Sequence, residues 1–273
     1  MSIEETKRLL RTYRITPNKL LGQNFTAEPL IYSKLCIYSS LDVCDVVLDA
    51  GAGFGFLSSF LADKCKAVIA IEKDPKIASA LREHLKGFGN VMVIEGDMLK
   101  VVLPEFNKVI AIPPYQISTH LVEWLLERKM NCAVIIVQKE FAEKLNAAIG
   151  SDQYGWLTVQ TYVRAEAQLL DEVPKEMFFP APKVDSVILR LTPRCKKQFE
   201  VRDDAFFKQL TKWLFTQRNK KLSKALAPFL RTNLHSSKED AEKKARTMPF
   251  GDKRPRELTP EQFGEIANAV TRQ

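Results

Sequence analysis

An α/β fold built on a mostly parallel sheet, followed by a small helical domain, is what this 273-residue chain predicts, and three observations carry it. Between Val46 and Val137 short apolar runs alternate with amphipathic stretches, the rhythm of successive strand-helix-strand units. A glycine-rich run, Asp49-Ala50-Gly51-Ala52-Gly53-Phe54-Gly55, directly follows the first apolar run. After Pro193 the composition shifts. Residues 1–193 hold 22 basic and 23 acidic side chains and residues 194–273 hold 19 and 10, so the net charge of +8 resides entirely in the C-terminal part.

The elements follow in order. Val46 to Leu48 leads into Phe56 to Ala62, Ala67 to Ile71 into Ile77 to Leu85, and Val91 to Ile94 comes next. Lys108 to Ile112 precedes a helical Thr119 to Leu126, and Ala133 to Val137 precedes Phe141 to Ala148. Strands this continuously apolar belong to a parallel sheet covered on both faces. Beyond Tyr154-Gly155, two β-rich segments, Trp156 to Val163 and Val184 to Leu191, are expected to add antiparallel edge strands. Helical patterns then occupy Ala205 to Phe215, Leu222 to Leu230 and a last segment near Pro260 to Val270, with a charged stretch before it. The expected division is residues 1–195 and 196–273.

Composition excludes several classes. With 45% hydrophobic and 27% charged residues the chain is neither disordered nor a mini-protein. Its longest apolar runs fall far short of the roughly 20 residues a membrane span needs, and its N-terminus is polar, so a soluble cytoplasmic protein without a signal peptide is expected. Cys36, Cys44, Cys65, Cys132 and Cys195 are odd in number, lack a Cys-x-x-Cys pair and have only three histidines to assist them, which argues against a disulfide framework or a metal site. The basic C-terminal part suggests a polyanionic partner, because Lys and Arg that neutralise phosphates release counterions.

Chemistry concentrates at strand ends. A glycine run between strand and helix permits a tight turn and close approach to a ligand, although its spacing departs from the Gly-x-Gly-x-x-Gly of dinucleotide folds. Glu72 ends the second strand, where a carboxylate can accept from ribose hydroxyls; Asp97 follows the third, where it can accept from an adenine amine. Each alone reads equally well as a solvated strand-end acid. Together they define one crevice suited to an adenosine-containing cofactor.

These motifs, with Leu21-Gly22-Gln23-Asn24-Phe25, Pro114-Tyr115-Gln116-Ile117-Ser118, Val137-Gln138-Lys139-Glu140 and Phe178-Phe179-Pro180-Ala181-Pro182-Lys183-Val184-Asp185-Ser186, resemble the ribosomal RNA small-subunit adenine N6-dimethyltransferase family. The resemblance implies a class I S-adenosyl-L-methionine-dependent methyltransferase: a Rossmann-like, mostly parallel seven-stranded sheet with a small C-terminal helical domain. It implies methyl transfer to two adjacent adenines near the 3′ end of small-subunit rRNA, in a pre-30S-type particle; a monomer is the default expectation for the oligomeric state, which the sequence leaves open. Carried over residue by residue, Gln23 and Asn24 would lie near the methionine part of the cofactor. Gly51 and Gly53 would approach it closely, Glu72 would hold its ribose, and Asp97 its adenine.

An adenine amine is a poor nucleophile, since its lone pair is delocalised into the ring, so acceptors must draw it toward tetrahedral geometry. Family members use Asn-Leu-Pro-Tyr or a close variant for this. Here the matching residues are Ile112-Pro113-Pro114-Tyr115, and Ile112, which would also border the cofactor, accepts no hydrogen bond. Tyr115 can stack on the base, Phe178 can sandwich it and the Pro113 carbonyl remains an acceptor. Three outcomes stay open: slow methylation, compensation by another polar group such as Gln116, or a silent factor that still binds cofactor and RNA. Ser118 and His120 are close in sequence, and His120 reads more simply as an ordinary helix residue. Arg218, Lys220 and Lys221, with Lys212 and Lys224 at helical spacing, are the expected RNA contacts, and Lys253-Arg254-Pro255-Arg256 forms a second basic run.

Overall fold

The computed structural model describes residues 3–17, 24–26, 28–233 and 237–271. In chain order its elements are α1 (Ile3–Thr12), α2 (Pro29–Ser39), β1 (Val46–Ala50), α3 (Phe56–Ala62), β2 (Ala67–Glu72), α4 (Pro75–Leu85), β3 (Val91–Glu95), β4 (Lys108–Ala111) and α5 (Ser118–Leu125). There follow β5 (Cys132–Gln138), α6 (Lys139–Leu145), α7 (Trp156–Arg164), β6 (Ala165–Val173), β7 (Ser186–Pro193), α8 (Asp204–Thr216), α9 (Leu222–Asn233), α10 (Lys238–Thr247) and α11 (Pro260–Val270). The chain divides into two compact units, one of residues 1–142 and 166–193, the other of residues 143–165 and 194–273.

The first unit holds a seven-stranded sheet in the order β3-β2-β1-β4-β5-β7-β6. β1 pairs in parallel with both β2 and β4, β2 with β3 and β4 with β5, whereas β7 runs antiparallel to β5. Val47, Leu48, Val109 and Ile110 are fully buried, as strands covered on both faces require. Because β2 leaves β1 on one side and β4 lies on the other, the order reverses between β1 and β4, which opens a crevice at their carboxyl ends. Helix α4 shows how local sequence sets the frame. Asp74 caps it by accepting from the Lys76 and Ile77 N–H groups, Pro75 occupies its first turn, and Ile77, Ala80, Leu81 and Leu85 give it a buried face. Two helices went unforeseen: α1 and α2 contribute Leu10, Ile31, Tyr32 and Leu35 to the same core as Val47, Phe54 and Ile136.

The second unit is helical, and it corrects two sequence expectations. Trp156–Arg164 is a helix, α7, rather than an edge strand. Its Thr and Val content mimics a strand, but its surroundings decide: Leu157, Val159 and Val163 are buried on several faces, Thr158 donates to the Lys144 carbonyl at 2.6 Å, and Gln160 donates to Thr211 Oγ1 at 2.9 Å. Tyr154, Val159 and Val163 share a core with Phe207, Leu226, Phe229 and Phe263, which draws residues 143–165 into this unit. A single cut at 195/196 therefore misses the first crossing. The charged stretch before the last helix is itself a helix, α10, capped by Ser237 and packed through the small side chains of Ala241 and Ala245.

At the amino ends of the strands in the first unit, a polar network ties β1 to β4. Lys108 Nζ donates to Asp45 Oδ2 at 2.7 Å and to the Ser40 carbonyl, while Asn107 donates to Asp45 Oδ1 at 2.6 Å and accepts from the Val46 N–H. Both ions are buried, so each depends on the other for compensation. Burial pushes the Asp45 carboxyl up, but Lys108, the Asp42 N–H and Asn107 outweigh it and hold its pKa below the ordinary value. Asp45→Ala should cost about 3–5 kcal/mol in urea unfolding by stranding the ammonium, whereas replacing both partners with apolar residues should recover much of the loss. A loss below 1 kcal/mol for the single variant would show that water compensates the lysine.

Candidate active site

A pocket of about 230 Å³ opens at the carboxyl ends of β1, β2, β3 and β4. Asn24, Gly51, Gly53, Glu72, Asp97 and Ile112 all line it, so six residues distant in sequence meet around one cavity. Gln23 lies outside the described residues. The turn after β1 is folded tightly against its neighbours: the Gly51 and Ala52 N–H groups donate to the Ile71 carbonyl, each at 2.9 Å. Gly51 has φ +82°, and a Cβ there would stand 2.9 Å from Pro114 Cδ, so only glycine lets this turn lie against the loop after β4.

Glu72 is spoken for on both oxygens by backbone. Oε2 accepts from the Gly53 N–H at 3.0 Å, and Oε1 from the Lys73 and Asp74 N–H groups at 2.8 and 2.9 Å. Burial nonetheless raises its pKa, with those N–H groups opposing the rise. Asp97 accepts from the Leu99 N–H at 3.1 Å and pairs with the Lys73 ammonium at 3.1 Å. Burial works against its charge, but Lys73 and the Leu99 N–H prevail and lower its pKa.

Four pocket residues carry signals that the sequence reading passed over. Asp49 opens the glycine motif, yet its role as a buried acid showed only in three dimensions: Oδ2 accepts from Ser58 Oγ at 2.6 Å, and burial, reinforced by Glu72 and opposed by Ser58, pushes its pKa from 3.8 up to about 7. Tyr32 lines the pocket and donates to the Thr26 carbonyl at 2.5 Å. Thr26 also lines the pocket, and its Oγ1 is buried with no hydrogen-bond partner among the described residues. Lys73 follows Glu72 directly, and its contact with Asp97 spans 24 residues.

Three carboxylates against one lysine make the cavity suited to a ligand that carries positive charge and several hydroxyls. S-adenosyl-L-methionine, with its sulfonium, ammonium and ribose diol, fits that donor and acceptor set. Among the described residues, no group of three or more His, Cys, Asp or Glu side chains is arranged to hold a metal ion, and no helix is long and apolar enough to cross a membrane.

The loop after β4 carries Ile112, Pro113, Pro114 and Tyr115. Ile112 borders the pocket and packs partly against the core. Tyr115 is half-buried, its hydroxyl 2.5 Å from Ser186 Oγ. Phe178 meets Tyr115 edge to face, with ring centroids 6.4 Å apart and planes at 72°, and is only 3% exposed. The two aromatics do come together, but not as the parallel faces of a sandwich. Phe178 buttresses Tyr115 from the core. In the helical unit, Arg218 donates to the Asp152 and Ser151 carbonyls at 2.8 and 2.9 Å and Lys221 pairs with Asp252 at 2.9 Å, while Lys220 is exposed. The expected RNA-contact cluster is thus partly engaged within its own unit, through a carbonyl clamp that a sequence separation of 66 and 67 residues conceals.

Comparison with known proteins agrees with this geometry. Residues 15–259 match the family model described as ribosomal RNA adenine dimethylase. A protein of Methanosarcina acetivorans named probable ribosomal RNA small subunit methyltransferase A is 39% identical over 250 residues, covering 91% of each chain. One of the same name from Methanothermobacter thermautotrophicus is 36% identical over 270 residues, covering 97% of this chain and 95% of its own. Among solved structures, a dimethyladenosine transferase from Plasmodium falciparum superposes with a TM-score of 0.75 at 26% identity, covering 91% of this chain and 98% of that one. The 23S rRNA methyltransferase ErmE gives 0.63 at 28% identity over 90% and 99%. The fold is that of a class I S-adenosyl-L-methionine-dependent methyltransferase, and the chain belongs to the ribosomal RNA adenine dimethylase family.

Proposed function

We propose that this methyltransferase dimethylates N6 of two adjacent adenines near the 3′ end of small-subunit rRNA, acting as a cytoplasmic monomer on a pre-30S-type particle during ribosome biogenesis. The observation that carries the reading is the junction of an adenosine-suited pocket with the Pro113-Pro114-Tyr115 loop: Ile112 and Pro114 line the same cavity as Glu72 and Asp97. The names borne by the relatives from Methanosarcina and Methanothermobacter support the small subunit as the target.

Each role falls to a residue whose surroundings suit it. Glu72 and Asp97 take the ribose and adenine of the cofactor, with Lys73 holding Asp97 ionised. Asn24, Thr26 and Asp49 face its amino-acid end, and Gly51 and Gly53 let the backbone come close. The bound cofactor supplies an electrophilic methyl group. Tyr115, fixed by Ser186 and propped by Phe178, offers a ring on which an extruded adenine stacks. The Pro113 carbonyl accepts from the target amine and so concentrates its lone pair. The amine sheds its proton readily once alkylated, so no strong general base is demanded of this chain.

Ile112 leaves that clamp without its side-chain acceptor. In methyl transfer from labelled S-adenosylmethionine to under-methylated small subunits, the wild type should form dimethyladenosine slowly, and Ile112→Asn should be faster by on the order of 100-fold, the usual worth of one such interaction. A variant no faster than wild type would mean that another group already supplies the acceptor. Product from the variant alone would establish the second reading that Ile112 favours, an assembly factor that binds cofactor and RNA without catalysis.

Asp49 adds a pH dependence. Its folded-state pKa near 7 lies above the ordinary 3.8, so the neutral form suits the empty fold; this contribution to stability is full below about 3.8 and lost as pH rises through about 7. A cationic ligand prefers the ionised form. Calorimetric affinity for S-adenosylmethionine should therefore rise between pH 6 and 7.5, and Asp49→Asn should flatten the profile near its acidic limit. An equally steep profile in the variant would assign the titration to another group, Glu72 being the nearest.

A further inference from the structure

Outside the catalytic pocket, the largest concentration of unbalanced charge lies in the helical unit. A groove of about 870 Å³ runs between α9 and α10 and is lined by Lys224 and Arg231 from the first helix and Lys238 and Arg246 from the second. All four are exposed, and among the described residues none of their side chains makes a hydrogen bond or ion pair. The groove's one carboxylate, Glu242, forms no ion pair with them. Many cations of this unit are otherwise engaged: Lys197 with Asp204, Lys221 with Asp252, Arg218 with two carbonyls, and Lys212 over the Trp156 ring at 4.4 Å. Four facing cations with a single acid among them repel one another, a cost that an anion would remove.

From this arrangement we infer that the α9/α10 groove is an anchoring site for RNA sugar-phosphate backbone, distinct from the Arg218–Lys221 segment. The inference rests on the reading of this protein as an rRNA methyltransferase and names a second place where the RNA is held. Lys224 and Arg231 lie seven residues apart and Lys238 and Arg246 eight, so each helix sets its pair roughly 10–12 Å apart along its axis. That spacing suits a run of successive phosphates rather than one bound ion. The groove floor is made of small side chains, Ala227, Pro228 and Ala241, with no aromatic ring on which a base could stack. Ser223 and Thr232 add hydroxyl groups at the rim. The site therefore positions RNA without reading its sequence.

The test uses the full chain with Lys224, Arg231, Lys238 and Arg246 all changed to Gln, and a control with Lys86, Lys129, Lys196 and Arg202 changed to Gln. Binding to a 3′-terminal small-subunit rRNA fragment and to an unrelated hairpin of equal length is measured between 50 and 200 mM salt. For the groove variant the slope of log affinity against log salt should fall by about 3 on both RNAs, and for the control by less than 1. Unchanged affinity for S-adenosylmethionine and an unchanged or raised melting temperature would show both units folded, since all four positions are exposed. A slope equal to wild type, or equal to the control, overturns the groove assignment while leaving the methyltransferase reading intact. Wild-type protein that binds neither RNA overturns both. A loss confined to the rRNA fragment would replace backbone anchoring with sequence reading, and polyglutamate competing as strongly as RNA would reassign the groove to an acidic protein.

Discussion

One turn holds the catalytic end of this molecule together. Five residues, Gly51 to Gly55, reverse the chain from β1 into α3, and three other elements depend on how tightly they do so. Two N–H groups close onto the Ile71 carbonyl at the end of β2, and the Gly53 N–H reaches Glu72. Pro114, from the loop after β4, sits so near Gly51 that a methyl group would collide with it, and Gly55, at φ +84°, would press a Cβ to 2.6 Å from Leu81 of α4. The turn thus fixes the position of Glu72, the placement of the loop after β4 and the seat of a covering helix at once. Glycine here is required by neighbours as much as by backbone angle.

That constraint explains why the charges in the pocket are tolerable. Asp49, Glu72 and Asp97 converge because parallel strands end together, and each meets the cost of proximity differently. Asp97 is neutralised by Lys73 and stays ionised; Glu72 is ringed by backbone N–H groups; Asp49 has only Ser58 and so holds its proton near neutrality. Under the proposed function, a cationic cofactor would relieve the last of these, and its binding would be coupled to the ionisation of Asp49, a residue that looks like part of a turn in the sequence.

How much of this could be read from sequence follows from where the information lies. The strand and helix alternation from Val46 to Val137 was legible because buried parallel strands leave unbroken apolar runs, and the three strand-end residues Gly51, Glu72 and Asp97 were legible because the fold puts strand ends together. Trp156–Arg164 was not, since β-branched residues buried by tertiary neighbours and polar groups satisfied across the fold imitate a strand. Helix α10 was hidden because its buried face consists of alanines. The partners of Arg218 and of Asp97, and the orphaned hydroxyl of Thr26, arise from contacts between segments that no local pattern records.

Ile112 bears on what this fold can accommodate at the edge of the pocket. The residue sits at the junction of two requirements: its backbone must let Pro113 and Pro114 close the pocket against Gly51, and its side chain must meet both the cavity and the core. Isoleucine meets the first requirement and packs well for the second, so a hydrocarbon at this position is compatible with the pocket and with the placement of Tyr115. Under the proposed function, the loss would be confined to the reacting amine, because a polar clamp built from one side chain and one carbonyl could shed its side chain without disturbing either binding site, and binding and chemistry would separate at this position. The fold would tolerate either side chain here; the transition state of the proposed reaction would not.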